Sequence, residues 1–116
     1  EFIDLVNKYG GAMPNAKGVP EDQIAMAVQK YGVCKVNIDT DLRLASTGAI
    51  RQFMAENPAE FDPRKYLAKT VTAMKQVCID RYLAFGCEGQ AGKIKSIPLE
   101  QMAERYKSGQ LAQLVK

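Results

Sequence analysis

The stretch Lys35-Val36-Asn37-Ile38-Asp39-Thr40-Asp41-Leu42-Arg43 decides how the rest of the chain is read. Val33, Val36 and Ile38 supply the apolar positions of a buried strand over 33–38. Asn37, Asp39, Thr40 and Asp41 crowd the point where that strand ends, and a helical pattern begins at once. In parallel α/β folds ligands bind at this strand-to-helix junction. Amide, carboxylate, hydroxyl and guanidinium groups gathered between residues 37 and 43 can grip a polyol and a phosphate together.

On the N-terminal side of that stretch, Pro20 fits the first turn of a helix, where its missing N–H costs nothing. Glu21 and Asp22 sit at the positive end of the macrodipole, Ile24, Ala27, Val28 and Tyr31 form an apolar stripe, and Gly32 is the expected stop. Further back, Phe2, Leu5, Val6 and Tyr9 fall at helical spacing before Gly10-Gly11, and residues 10–18 read as a loop. No cap precedes Phe2 and no initiator Met opens the chain, so it is expected to be cut from something larger.

On the C-terminal side a helix is predicted from about Asp41 to Glu56, with Leu42, Ala45, Ala49 and Phe53 on one side, stopped by Asn57-Pro58. Asp62-Pro63 opens a long helix as N-cap and first helical residue. Leu67, Val71, Met74, Cys78, Tyr82 and Phe85 are read as its packing stripe, against a barrel or a partner subunit. Residues 86–95 read as a flexible loop. Pro98 begins a last helix with Leu99, Met102 and Tyr106 aligned, ending at Gly109 before a frayed polar tail.

A lone strand cannot satisfy its own backbone groups. Either the domain is helical and the strand is misread, or the strand belongs to a sheet whose other members lie elsewhere. Helix, tight turn, strand, polar loop and further helices fit an α/β class: the C-terminal part of a (β/α)₈ TIM barrel, about one strand and five helices, with extra C-terminal helices. Residues 1–58 are assigned to the end of the barrel and 59–116 to a helical extension.

Composition narrows the function classes. At 116 residues, 47% hydrophobic and 25% charged, the chain is at most one ordinary globular domain. Its net charge of +3 comes from sixteen basic and thirteen acidic residues interleaved, without the one-sided field expected of a nucleic-acid binder. No apolar run approaches a membrane span and no signal-like opening is present, so a cytoplasmic protein without membrane or nucleic-acid partners is expected. Cys34, Cys78 and Cys87 lack CxxC spacing and read as reduced, buried fillers. Histidine is absent, which removes the commonest metal ligand and general base from this segment.

Val36-Asn37-Ile38-Asp39-Thr40-Asp41-Leu42-Arg43 followed by Phe61-Asp62-Pro63-Arg64 closely resembles class II (metal-dependent) fructose-bisphosphate aldolase. Tyr9-Gly10-Gly11, Gly18-Val19-Pro20, the Gly32 stop and the loop Gly89-Gln90-Ala91-Gly92-Lys93-Ile94-Lys95 extend the likeness over nearly the whole chain. The resemblance implies a (β/α)₈ barrel with added C-terminal helices, assembled as a homodimer or homotetramer. It implies reversible cleavage of fructose 1,6-bisphosphate to dihydroxyacetone phosphate and glyceraldehyde 3-phosphate, in glycolysis, gluconeogenesis or the Calvin cycle. It also implies a divalent metal, normally Zn²⁺, that polarises the ketone, with its histidine ligands and a proton-transferring aspartate upstream of Glu1.

Within this segment the resemblance implies substrate contacts at Asn37, Ile38, Asp39, Thr40, Arg43 and Arg64. Asn37 would meet dihydroxyacetone phosphate beside the metal, and Asp39 a sugar hydroxyl that selects the stereoisomer. Thr40 would contact a phosphate through hydroxyl and N–H. Arg43 and Arg64 would hold the far phosphate, Arg64 reaching in from the neighbouring subunit. By the same likeness, residues 59–116 lie in the subunit interface and the segment alone is inactive, needing the rest of the aldolase chain.

Each residue also has an ordinary structural role. Asn37 and Asp39 can simply end a strand, Asp and Thr before a helix can cap it, and Arg43 can be a solvated charge. Asp41 reads as a helix cap, and Lys93 and Lys95 as solvated. Arg64 opposes the macrodipole of its own helix, a hint of another task. An aldolase for tagatose bisphosphate shares these motifs. The competing readings are an independent helical module that binds protein or nucleic acid, and a decayed segment used only for oligomerisation.

Overall fold

The computed structural model describes residues 2–111. Its helices are α1 (Phe2–Lys8), α2 (Glu21–Lys30), α3 (Thr40–Glu56), α4 (Pro63–Ala84) and α5 (Leu99–Lys107), with a 3₁₀ turn at Ala91–Lys93 in the expected loop. Proline and glycine set most of these boundaries. Pro63 occupies the first turn of α4, and Asp62 caps it by accepting the Arg64 backbone N–H at 2.9 Å. At the end of α1, Gly10 adopts φ +85°, and the Gly11 N–H reaches back to the Val6 carbonyl at 3.0 Å. That bond and the Gly10 N–H to the Asn7 carbonyl together satisfy two carbonyls the helix leaves open. The tail expected to fray lies, from residue 112 onward, outside the described residues.

α3 and α4 pack as an antiparallel hairpin across the turn at 57–62, and α1 lies against α3. Val6, Ala45, Val77 and Phe85 are the buried hydrophobic residues among those described. Gly48 lets α1 approach, since a Cβ there would stand 2.8 Å from Leu5 Cδ2. α2 touches α4 only lightly, and among the described residues α5 packs on no other helix. The molecule is accordingly long, 62 × 31 × 24 Å, with a radius of gyration of 20.0 Å. A compact domain of this length has about 13 Å.

Three expectations need correction. The strand over 33–38 is not formed: residues 32–39 carry no regular structure, so the described part of the expected α/β layout is wholly helical. Among the described residues the one backbone hydrogen bond made by 33–38 is Val33 N–H to the Ala27 carbonyl, 3.2 Å. A strand needs a neighbour to pair with, and this stretch has none here. The packing stripe of α4 holds only in part within this chain. Phe85 is buried and Met74 half-buried as expected, but Leu67, Val71, Cys78 and Tyr82 are exposed, while Tyr66, Thr70, Ala73, Val77 and Arg81 turn inward. Finally, Cys34, Cys78 and Cys87 are free but exposed rather than buried.

The α1 stop is open to a direct test. A Cβ on Gly11 would sit 2.7 Å from the Val6 carbonyl oxygen, whereas one on Gly18 would meet nothing within 4 Å. In the full-length protein Gly11→Ala is expected to cost about 1–3 kcal/mol in denaturant unfolding, and Gly18→Ala to leave the midpoint unchanged.

Candidate functional site

The polar cluster sits where residues 32–39 feed into α3. Along that segment burial alternates: Val36 and Ile38 are half-buried, Asn37 and Asp39 exposed. Val36 and Ile38 line an apolar cleft of about 340 Å³ with Leu42, Val77 and Phe85, so the amide and carboxylate are left to the solvent. Asp39 stands at the N-cap position of α3 but makes no side-chain cap bond. Its carboxylate instead accepts from Arg43 Nε at 2.8 Å, one helical turn on. This pair is 78% and 67% exposed, so it is weak and open to exchange with another anion. Thr40, the first residue of α3, is exposed beside the N–H groups that a helix start leaves without acceptors.

Asp41 is not a cap. It accepts from the Arg81 guanidinium at 2.8 Å, and the same guanidinium also donates to Glu21 at the start of α2. Arg81 escapes sequence reasoning because its partners lie on two other helices. The one local signal is that both acids stand in first turns.

Arg64 belongs to a second polar cluster, at the α3–α4 turn. Asp62 accepts from its Nε at 3.0 and 3.1 Å and from its Nη2 at 2.7 Å, a two-pronged grip. Glu60 takes the Phe61 and Asp62 N–H groups, both at 3.1 Å, on one oxygen and Lys65 Nζ at 2.6 Å on the other. The Arg64 side chain remains 88% exposed.

Five of the six expected contact residues therefore come together and the sixth does not. Asn37, Ile38, Asp39, Thr40 and Arg43 share one junction. Arg64 lies at the other end of the hairpin, where Lys69 of α4 stands over the Phe53 ring of α3. The rise of α3 alone puts about 20 Å between Arg43 and that turn. Among the described residues no group of three or more Cys, Asp or Glu side chains could hold a metal ion.

The family model "Fructose-bisphosphate aldolase class-II" matches residues 10–90. A fructose-bisphosphate aldolase of Stutzerimonas stutzeri is 61% identical over 111 residues, 96% of this chain and 31% of that protein. One of Pseudomonas aeruginosa is 59% identical over the same share of each. A fructose-bisphosphate aldolase 2 of Rhodobacter capsulatus is 51% identical over 109 residues, 94% of this chain and 95% of the relative. The chain thus spans about 31% of the length of the first two.

The Asp62 and Glu60 grips carry a pH signature. The Arg64 side chain, then its backbone N–H, holds the Asp62 carboxyl below its ordinary value. Lys65, then the Asp62 N–H, does the same for Glu60. A lowered native value means the stabilisation is complete above the unfolded value and is lost as pH falls through the native one. The turn is therefore expected to loosen below about pH 4. Carboxyl chemical-shift titration should place both midpoints under their ordinary values. Arg64→Ala should move the Asp62 midpoint back up, and Lys65→Ala that of Glu60.

Proposed function

We propose that this chain, which belongs to the class II fructose-bisphosphate aldolase family, is the substrate-gripping segment of an enzyme that reversibly cleaves fructose 1,6-bisphosphate into two triose phosphates. The observation that carries this is the exposed junction 37–43, with its amide, acid, hydroxyl and guanidinium on one lip. Asn37 offers donors and an acceptor to a hydroxyketone. Asp39 gives one oxygen to Arg43 and keeps the other for a sugar hydroxyl, and by the family resemblance it is the residue that distinguishes fructose from tagatose bisphosphate. Thr40 and the open N–H groups of α3 suit a phosphate. Arg43 reaches the far phosphate when that dianion displaces Asp39.

The rest of the enzyme would come from the remainder of the polypeptide. Residues 33–38 become the last strand of the (β/α)₈ barrel when neighbouring strands pair with them, and 1–58 close it. The exposed faces of α4 and α5, with Leu67 at 48%, Val71 at 68% and Leu99 at 79% exposure, suit residues 59–116 to a subunit interface. The family's divalent metal, zinc in the reading above, does not fit this segment, which has no histidine and no assembled donor cluster among its described residues. The segment alone is therefore inactive. No helix among the described residues is long and apolar enough to cross a membrane, and a cytoplasmic place suits a sugar-phosphate enzyme.

Arg64 cannot serve the junction of its own chain across the length of α3. It serves that of a second copy.

Three measurements test this reading. Asp39→Ala in the full-length enzyme should lower kcat/KM for fructose 1,6-bisphosphate by at least about a hundredfold; wild-type cleavage would overturn it. Arg43→Ala and Arg64→Ala should each be impaired, and mixing them in a dimer should restore about a quarter of the intact sites. No restoration would place both arginines in one chain's site. Residues 1–116 alone should unfold without a cooperative transition. A sharp transition together with salt-dependent binding to an acidic partner would favour the independent helical module.

A further inference from the structure

We propose that Arg81 is a positioning residue that sets where the 37–43 junction stands, acting through Asp41. This rests on the reading of that junction as the substrate contact. Two separate features support it. The first is the shared guanidinium, which donates to Asp41 in the first turn of α3 at 2.8 Å and to Glu21 at the start of α2. The second is the stem of the same side chain, which lines the apolar cleft beside Val36, Ile38 and Leu42 and so lies under the junction itself.

Little else holds the junction. Among the described residues, the backbone of 34–38 makes no hydrogen bond to another backbone group. Its downstream anchor is the first turn of α3, where Asp39, Thr40, Asp41 and Arg43 move as one rigid unit. Whatever fixes Asp41 fixes the other three. Arg81 is not itself a phosphate ligand: its side chain is 18% exposed and both its acid partners are in place, whereas the Arg43 side chain is 78% exposed. The planar fork of arginine holds two carboxylates at a set angle, which the single point charge of lysine does not.

A misplacement of order 1 Å can cost about a hundredfold in rate, so the effect belongs in the kinetic constants of folded enzyme. The test uses the full-length enzyme, with kcat and KM measured separately for fructose 1,6-bisphosphate. Arg81→Met and Asp41→Asn should each raise KM about tenfold or more, and the double variant should be no worse than the poorer single, because both remove one bond. Arg81→Lys should fall between Met and wild type. Glu21→Gln, which frees only α2, should leave KM within about twofold. A merely structural arginine would reduce the amount of folded enzyme, lowering apparent kcat with KM unmoved, and that result overturns the proposal. Should Arg81→Met not accumulate as folded protein, Asp41→Asn decides by the same KM criterion. An Asp39→Ala arm separates the failures. Lost activity there with unchanged KM in the Arg81 and Asp41 variants sinks only this inference. Full activity there sinks the substrate reading and this inference with it.

Discussion

One guanidinium joins three helices. Arg81, in the last turn of α4, meets the first turn of α3 through Asp41 and the first turn of α2 through Glu21. The charges agree with the helix ends: acids stand at two helix starts and the cation at a helix finish, each where the macrodipole favours it. The α3–α4 hairpin has apolar packing around Ala45, Val77 and Phe85 to hold it as well. α2 has little of that. Besides Arg81, the polar tie between α2 and α4 is Gln29 Nε2 donating to the Ala84 carbonyl at 3.3 Å. Partial burial of the guanidinium makes losing one partner costly, because the other charge is then left poorly solvated. The placement of α2 against α4 depends on the Glu21 arm of this polar knot, and that of the α3 start on the Asp41 arm.

The helices were legible because their ends are written in residues with few options. Pro20, Asp62 and Pro98 stand just before α2, α4 and α5, Pro63 opens α4, and Gly10, Gly32, Gly86 and Gly109 follow helix ends with positive φ. The inward face of α4 was legible only in part. Met74 and Phe85 of the expected stripe do turn inward, but so do the small or polar Thr70, Ala73 and Arg81, while the apolar positions 67, 71, 78 and 82 are exposed. A hydrophobic stripe reports that a face needs covering; it does not say by what. The strand failed for the same reason at another level. Val36 and Ile38 do turn inward and Asn37 and Asp39 outward, as a strand requires, but pairing is a property of two segments and only one is present.

The site divides along similar lines. The Asp62 cap follows from the Asp-Pro signal and is read directly, whereas the Asp39–Arg43 pair, though at helical spacing, emerges only in the structure. The Asp41–Arg81 pair joins residues far apart in sequence, and no local pattern separates that aspartate from an ordinary cap. The family likeness implies that Arg64 works across a subunit boundary, and the hairpin supports that proposal by holding Arg43 and Arg64 at opposite ends of α3.

That arrangement makes the hairpin a spacer as well as a scaffold. A full turn added to α3 lengthens the hairpin by about 5.4 Å and pulls the α4 terminus out of step with the α3 start that Arg81 fastens. Only a matching turn in α4 would restore the knot, and the turn that carries Arg64 would still stand about 5.4 Å farther from the 37–43 junction. Insertions and deletions in these two helices are therefore barred singly and of little use in pairs. Length variation among such chains should collect instead in the loop at 86–97, where no helix packing among the described residues measures distance.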